Sequence, residues 1–252
     1  MAVDYPECVA RFYDTVYASL RDGVDNTYYL NKAVAADGPV LEIGVGTGRL
    51  FRAARAQGVD AWGIDVSPAM VARLHERLDV NERHRVAVGD GTRMELGRRF
   101  ALALAPFRVL SHVGEVADQL RFLERVHAHL QPGGTFIFDL FVPSLPMLAT
   151  GMPPTVDFDG EWKPGRYLRR TVEAHSDLIT QVTHVRMGFD WQEDDGRELH
   201  DEWTFEMRFF FRWEIEHLLA RSPLERVAIH GDFEEGSLGP ESREFVVVCR
   251  RP

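Results

Sequence analysis

Short apolar runs separated by amphipathic stretches organise the first 140 residues. The runs fall at residues 40–43, 60–65, 85–89, 100–105 and 135–140. Helix-like segments lie between most of them, which predicts successive parallel strands of a βαβ sheet. "SPAMVARLHERL" opens with Ser67 as N-cap and Pro68 at the first helical position, and Met70, Val71, Leu74 and Leu78 share one face. Val116, Leu120, Leu123, Val126 and Leu130 line a second helix, which Pro132-Gly133-Gly134 closes before the strand "TFIFDL".

Beyond residue 141 the texture changes. "VPSLPMLATGMPPT" is rich in Pro and Gly and reads as a connection. Val185, Met187, Phe189 and Trp191 then alternate with polar residues, as do Trp203, Phe205, Met207, Phe209 and Phe211, with "EDDG" between as a turn. That alternation predicts an antiparallel β insertion over roughly 160–211. A helix near 212–221 and two late strands, "ERVAIHG" and "EFVVVCR", are expected to complete the main sheet. The fold class is therefore α/β, a doubly wound and mostly parallel sheet carrying an antiparallel β insertion.

Composition narrows the function classes. The 252 residues are 45% hydrophobic, enough for a sizeable core, and 29 basic against 39 acidic side chains give a net charge of −10. No broad basic footprint for nucleic acid is present, so small-molecule or protein partners are favoured. The two cysteines, Cys8 and Cys249, form no metal-ligand spacing, and no metal is expected. The start "MAVDYPECVARFYDTVY" lacks the basic and apolar regions of a signal peptide, and no apolar run approaches a membrane span of ~20 residues. A soluble, cytoplasmic protein without a membrane partner is the expectation.

The densest chemistry lies in "VLEIGVGTGRL", residues 40–50. Gly44, Gly46 and Gly48 suit a sharp strand-to-helix turn against which a ligand lies. A dinucleotide fingerprint needs its third glycine three positions after the second, and position 49 is Arg, so the spacing argues against NAD. Glu42 at the strand end is costly unless it meets a partner. Asp65 in "GIDVS", about 20 residues beyond the glycines, suits the two hydroxyls of a ribose. Asp90 in "VGDGT" ends the third strand beside the same cleft, where it can accept from an adenine amino group. Three acids after three successive strands are more specific than any one motif.

"VLEIGVGTGRL", "GIDVSPAM", "VGDGTRMEL" and "HLQPGGTFIFDLF" together resemble the class I S-adenosylmethionine (SAM)-dependent methyltransferases of Rossmann-like fold, and "GDFEEGSLGPESREFVVVCRRP" is similar to the closing strands of bacterial small-molecule members. The resemblance implies SAM as cofactor and S-adenosylhomocysteine as product. It implies that Gly44, Gly46 and Gly48 pass beneath the methionine and ribose, Asp65 holds the ribose, and Asp90, Gly91 and Thr92 frame the adenine. Val66, Met70 and Ala105 join the cofactor-binding set together with Glu42, which would support the loop or bind a water near the cofactor. Val45 stands where Cys or Ser is usual.

"APFRVLSHV" follows the fourth strand, at the carboxyl ends where open α/β sheets place reacting ligands. Nucleic-acid amino methyltransferases carry Asn or Asp-Pro-Pro-Tyr there, which this chain lacks. The segment is similar to that of amino-sugar N-methyltransferases, with an aromatic at Phe107 and a histidine at His112. An imidazole with an ordinary pKa near ~6.5 can take a proton from an attacking amine or hydroxyl. "FYDTVY" resembles the N-terminal lid of the same enzymes, which implies Tyr13 as a cofactor and catalytic contact and Tyr17 as a substrate contact. Phe107, Arg108 and Phe141 are further substrate-wall candidates, although an ion pair explains Arg108 equally well.

The expected organisation is a helical lid over 1–37, a SAM-binding core of 38–155 and 212–252, and an insertion over 156–211 that covers the cleft or builds a homo-oligomer. The favoured function is methyl transfer to an amine of an amino-sugar-like or antibiotic secondary metabolite. The alternatives are a small-molecule O-methyltransferase with His112 as base and a non-catalytic SAM-binding regulator, with a dehydrogenase last. Trp203, Phe205, Phe209 and Phe211 read as a packed sheet face or subunit contact. His127 and His129 read as solvent-facing.

Overall fold

The computed structural model describes residues 5–20 and 23–252. Residues 1–4 and 21–22 of the expected lid lie outside them. Strands β1 (Val40–Ile43), β2 (Ala61–Asp65), β3 (Val86–Val88), β4 (Phe100–Ala105) and β5 (Leu130–Phe141) form the parallel part of a seven-stranded sheet, which β10 (Glu225–His230) and β11 (Glu244–Arg250) extend. The order is β10-β11-β5-β4-β1-β2-β3, and β11 runs antiparallel to β5 and β10. The chain leaves β1 towards β2 on one side and later returns to place β4 on the other. The carboxyl ends of β1 and β4 therefore flank a topological switch point, where open α/β sheets bind ligands.

Alternation along β1 sends Leu41 and Ile43 to one core and Val40 to the other. On the first face α5 (Val116–His129) and α6 (Arg212–Ala220) contribute Phe122, Leu123, Val126, Ile215 and Leu218. On the second face α2 (Val24–Val34), α3 (Arg49–Ala56) and α4 (Pro68–Glu76) contribute Tyr29, Phe51, Val71 and Leu74. α4 starts as its sequence dictates, with the Ser67 hydroxyl accepting from the Met70 N–H and Pro68 at N1.

The insertion is a separate four-stranded sheet, β6 (Met152–Lys163), β7 (Arg166–Asp177), β8 (Val182–Gln192) and β9 (Glu198–Arg208), in that order and antiparallel throughout. It starts before the alternation of the sequence suggests, so residues 152–155 are strand and a boundary at 156 falls inside β6. The Pro153-Pro154 pair is tolerated because β6 is an edge strand with a register shift between Met152 and Thr155. The apolar face of this sheet packs on α1 (Glu7–Leu20): Val9, Phe12 and Val16 meet Leu168, Phe189 and Trp191 in a third core.

Three smaller expectations change. Helix α5 ends at His129 and β5 begins at once, ahead of Pro132. Its buried stripe is Gln119, Phe122, Leu123, Val126 and His129, whereas Val116 is exposed. His129 is buried, not solvent-facing: its Nδ1 meets the Arg125 carbonyl at 2.7 Å and its Nε2 accepts from the Leu96 N–H at 3.0 Å, an anchor for a loop distant in sequence.

Candidate active site

A cavity of about 1050 Å³ opens at the switch point. Its wall comes from the carboxyl ends of β1, β2 and β3, the turn after β4, helices α1 and α2, and strands β7 to β9. Ligand pockets span roughly 300–1,000 Å³, so this one stands at the upper end of that range.

The glycine loop forms one wall. Gly44, Gly46 and Gly48 all have positive φ (77°, 54° and 84°), the left-handed region where other residues are strained. The three positions nevertheless differ. A Cβ on Gly44 would stand 2.5 Å from Val109 Cγ2, and one on Gly48 would meet Leu74, so these two keep the loop packed. A Cβ on Gly46 would meet nothing within 4 Å, and Gly46 lines the cavity. Bare backbone there leaves room for a ligand. Val45 is buried and packs on Gly63, which accounts for an apolar residue at that position.

The three strand-end acids converge on the same cavity. Asp65 is buried and accepts from the Gly46 N–H through Oδ2 and the Ser67 N–H through Oδ1, each at 2.8 Å. Burial raises its pKa and those two donors oppose the rise. An ionised carboxylate has about four acceptor sites, so Asp65 retains capacity for a ligand diol. Glu42 is also buried, and burial holds its carboxyl well above the usual range, with Arg49 opposing and Asp65 adding to the shift. Asp90 Oδ1 takes both the N–H and the hydroxyl of Thr92 at 2.8 Å, which fixes the loop after β3. A Cβ on the adjoining Gly91 would clash with Phe122 at 2.6 Å.

Helix α1 covers the loop. Thr47 donates to Asp14 at 2.6 Å, Asp14 also pairs with Arg77, and Glu7 pairs with Arg73. Tyr13 reaches the cavity with its ring against Tyr17, while Tyr17 packs on Phe107 and under the Arg170 guanidinium, outside the cavity lining.

The far wall carries His112 at the end of a one-turn helix, Val109–His112. Burial pushes its pKa down to about 4, so the ring is neutral near pH 7. The Tyr5 hydroxyl lies 3.4 Å from His112 Nε2, the Tyr5 ring packs on Trp203 at 4.6 Å, and His112 faces Phe205 at 5.8 Å. Just before this turn Phe107 and Arg108 both hold positive φ, 63° and 62°. Each such non-glycine residue costs about 1–3 kcal/mol and persists only where its surroundings enforce it.

Most expected contacts meet at the cavity: Tyr13, Glu42, Gly44, Gly46, Asp65, Val66, Met70, Asp90, Gly91, Thr92, Phe107 and His112 all line it. Five do not. Gly48 caps α3, and Ala105 is fully buried in the sheet core. Tyr17 stands behind Tyr13. Arg108 turns away because Glu244 on β11 takes its guanidinium at 2.8 Å, and Phe141 packs beside that pair.

The cavity also holds residues that the sequence did not single out. On the glycine-loop side these are Tyr5, Asp25, Asn26, Tyr29 and Arg49. On the sheet side they include Glu173, His175, His184, Arg186 and Glu206, with His175 and His184 stacked at 4.9 Å across β7 and β8. The Trp203 and Phe205 parity was visible, but a sheet face and a cavity wall share one pattern. Here the pair is both, whereas Phe209 is buried and Phe211 is exposed.

Known proteins place this geometry. Residues 40–134 match a family model described as a methyltransferase domain. The CcbJ methyltransferase of Streptomyces caelestis superposes with a TM-score of 0.70 at 24% identity, over 92% of this chain and 90% of that one. A sugar N-methyltransferase of Streptoalloteichus superposes at 0.75 with 21% identity, over 95% and 93%. An S-adenosylmethionine-dependent methyltransferase of Clostridium acetobutylicum superposes at 0.77 with 16% identity, over 95% and 96%. The chain has the class I methyltransferase fold. The superpositions span 92–95% of the chain and so extend into the antiparallel insertion, and the doubly wound expectation holds for the seven-stranded sheet. No curated protein matches the sequence. Among the described residues no helix is long and apolar enough to cross a membrane.

Proposed function

We propose that the chain is a SAM-dependent methyltransferase acting on an amine of a small molecule, of the amino-sugar or antibiotic-metabolite kind. The observation that carries this reading is the convergence of Glu42, Asp65 and Asp90 with the open face of Gly46 on one cavity. The residues present fit the cofactor. Asn26 Oδ1, Glu42 Oε2 and Ser111 Oγ are buried without a hydrogen-bond partner among the described residues, and all three residues line that cavity. Buried polar atoms of this kind are rare in native proteins unless a ligand or water completes them.

SAM, when bound, supplies an electrophilic methyl group on a sulfonium. Asp65 would hold its ribose, Asp90 with Gly91 and Thr92 its adenine, and Glu42, Asn26 and Arg49 its charged amino-acid end. Tyr13 and α1 exclude water, and Tyr5, Trp203, Phe205 and His112 orient the acceptor. Holding two reactants in place supplies most of what such a transfer needs.

Nitrogen is favoured over oxygen by the environment of His112. An imidazole whose pKa is depressed to about 4 is a weak base, poorly suited to take a proton from a hydroxyl. A free amine is a good nucleophile without first losing a proton, neutral His112 can accept a hydrogen bond from it, and the methylated ammonium gives up its proton to solvent after the transfer. The proposed acceptor is a small molecule and not nucleic acid, and a homo-oligomer belongs to the same reading.

Calorimetry with S-adenosylhomocysteine and mass spectrometry of labelled methyl transfer to a panel of amines and alcohols test it. Heat on titration and label on nitrogen are expected. Label on oxygen alone would replace the N-methyl assignment. Binding with no label in any product would favour a regulator, and stabilisation by NAD in place of S-adenosylhomocysteine would overturn the cofactor.

A further inference from the structure

Asp139 stands on β5 opposite Val246 of β11 and is 0% exposed. A carboxylate in such a place is costly unless it is well bonded, so its contacts are informative. Its Oδ1 accepts the Phe107 N–H at 2.7 Å and the Tyr29 hydroxyl at 2.7 Å. The two donors come from separate elements, the turn after β4 and helix α2, and both residues line the cavity.

The Phe107 amide begins the most strained backbone near the site, the consecutive positive φ angles of Phe107 and Arg108. Arg108 is tied from the other side by Glu244. Beyond them Val109 lies against Gly44, and His112 reaches Tyr5 and Phe205. The turn thus joins the glycine-loop side of the cavity to its aromatic wall. A backbone conformation that is unfavourable by itself must be imposed from outside, and Asp139 bonds its first amide.

We propose that Asp139 is a positioning residue: through the Phe107 amide it holds the strained turn that presents Phe107 and His112 to the acceptor, and through Tyr29 it locks that turn to helix α2. The inference rests on the methyl-transfer reading for its catalytic consequence, and its structural part can be measured without any substrate. It assigns Asp139 no contact with either reactant.

Hydrogen exchange read by mass spectrometry on peptides spanning 106–113, together with kcat, acceptor KM and S-adenosylhomocysteine affinity, tests it. In the wild-type protein these peptides exchange slowly. Asp139→Ala raises their exchange about tenfold or more, because the amide loses its acceptor. The same variant lowers kcat by about tenfold to a hundredfold through misplacement of the wall, while S-adenosylhomocysteine affinity changes little. Asp139→Asn, which keeps an oxygen acceptor, restores both readouts.

A residue needed only for folding would instead lower the folded fraction, moving affinity and turnover together without slowing the folded enzyme. Unchanged exchange in Asp139→Ala, or raised exchange with kcat intact, overturns the proposal. Should that variant fail to fold, fast exchange of 106–113 in the wild-type protein overturns it equally. A wild-type protein that neither binds S-adenosylhomocysteine nor transfers methyl overturns the methyl-transfer reading, and the catalytic role of Asp139 with it.

Discussion

Gly46→Ala separates the two uses of glycine in the loop. The added methyl meets no protein atom within 4 Å, so its effect on folding is limited to placing a side chain at φ 54°. Left-handed backbone costs an L-residue about 1–2 kcal/mol. At about 2–4 °C per kcal/mol for a chain of this size, Tm should fall by about 2–8 °C. The methyl projects from the cavity wall beside Asp65, where the donor is proposed to lie. S-adenosylhomocysteine affinity should fall about tenfold or more, equivalent to about 1.4 kcal/mol.

Gly44→Ala is the contrasting case. It carries the same backbone strain at φ 77° and drives its methyl to 2.5 Å from Val109 Cγ2. Overpacking adds about 1–3 kcal/mol, which Val109→Ala in the same chain should largely relieve. Differential scanning fluorimetry gives the stability and calorimetry the affinity. A Gly46→Ala protein that loses the expected stability but binds S-adenosylhomocysteine as tightly as the wild type would show that this face of the loop does not meet the donor, and the site assignment would be wrong.

His112 should make stability pH-dependent on the acid side. Its folded pKa, about 4, lies below the unfolded value, so its contribution is present above pH ~6.5 and is lost as pH falls towards 4, up to about 2–3 kcal/mol. Urea titrations should show a shallower decline over that window for His112→Gln, and parallel curves would contradict the burial argument. Glu42 has the opposite sign: its folded pKa is raised, so its contribution is present at low pH and is lost as pH rises above the ordinary carboxylate range. Glu42→Gln should therefore be at least as stable as the wild type at pH 8, by up to about 1 kcal/mol, and a clear loss would mean that the carboxyl is ionised and paired. Asp65→Ala removes the acceptor of two backbone N–H groups, and stability should fall by about 1–3 kcal/mol. Its donor affinity, measured by calorimetry, should fall further than that of Asp65→Asn; equal losses would argue that the side chain only braces the loop.

The parts of the site legible in the sequence are those made by one strand and the turn that follows it. Glu42 to Thr47, Asp65 to Met70 and Asp90 to Thr92 are each local, and their order along the chain matches the order of β1, β2 and β3 in space. For Arg108 the sequence left a substrate contact and an ion pair equally open, because its partner Glu244 lies 136 positions away, and Phe141 stands beside that pair, outside the cavity lining. His129 was misjudged for the same reason, since its bond to Leu96 spans 33 positions. Tyr5 had no distinguishing neighbour, and its place on the cavity wall is visible only because Trp203 and His112 arrive beside it.

By itself the sequence determined the doubly wound sheet, the glycine turn, the three acids at strand ends and the antiparallel character of the insertion. Periodicity, capping and turn chemistry act over a few residues and need no distant partner. Tertiary structure alone decided which face of the insertion walls the cavity, that Arg108 belongs to Glu244, and that Asp139 accepts the Phe107 N–H at the start of the turn carrying His112. Hydrogen bonds and burial between elements depend on positions in space, and chain order does not encode those locally. The depressed pKa of His112 is of this kind, because desolvation is created by neighbours that the fold brings together.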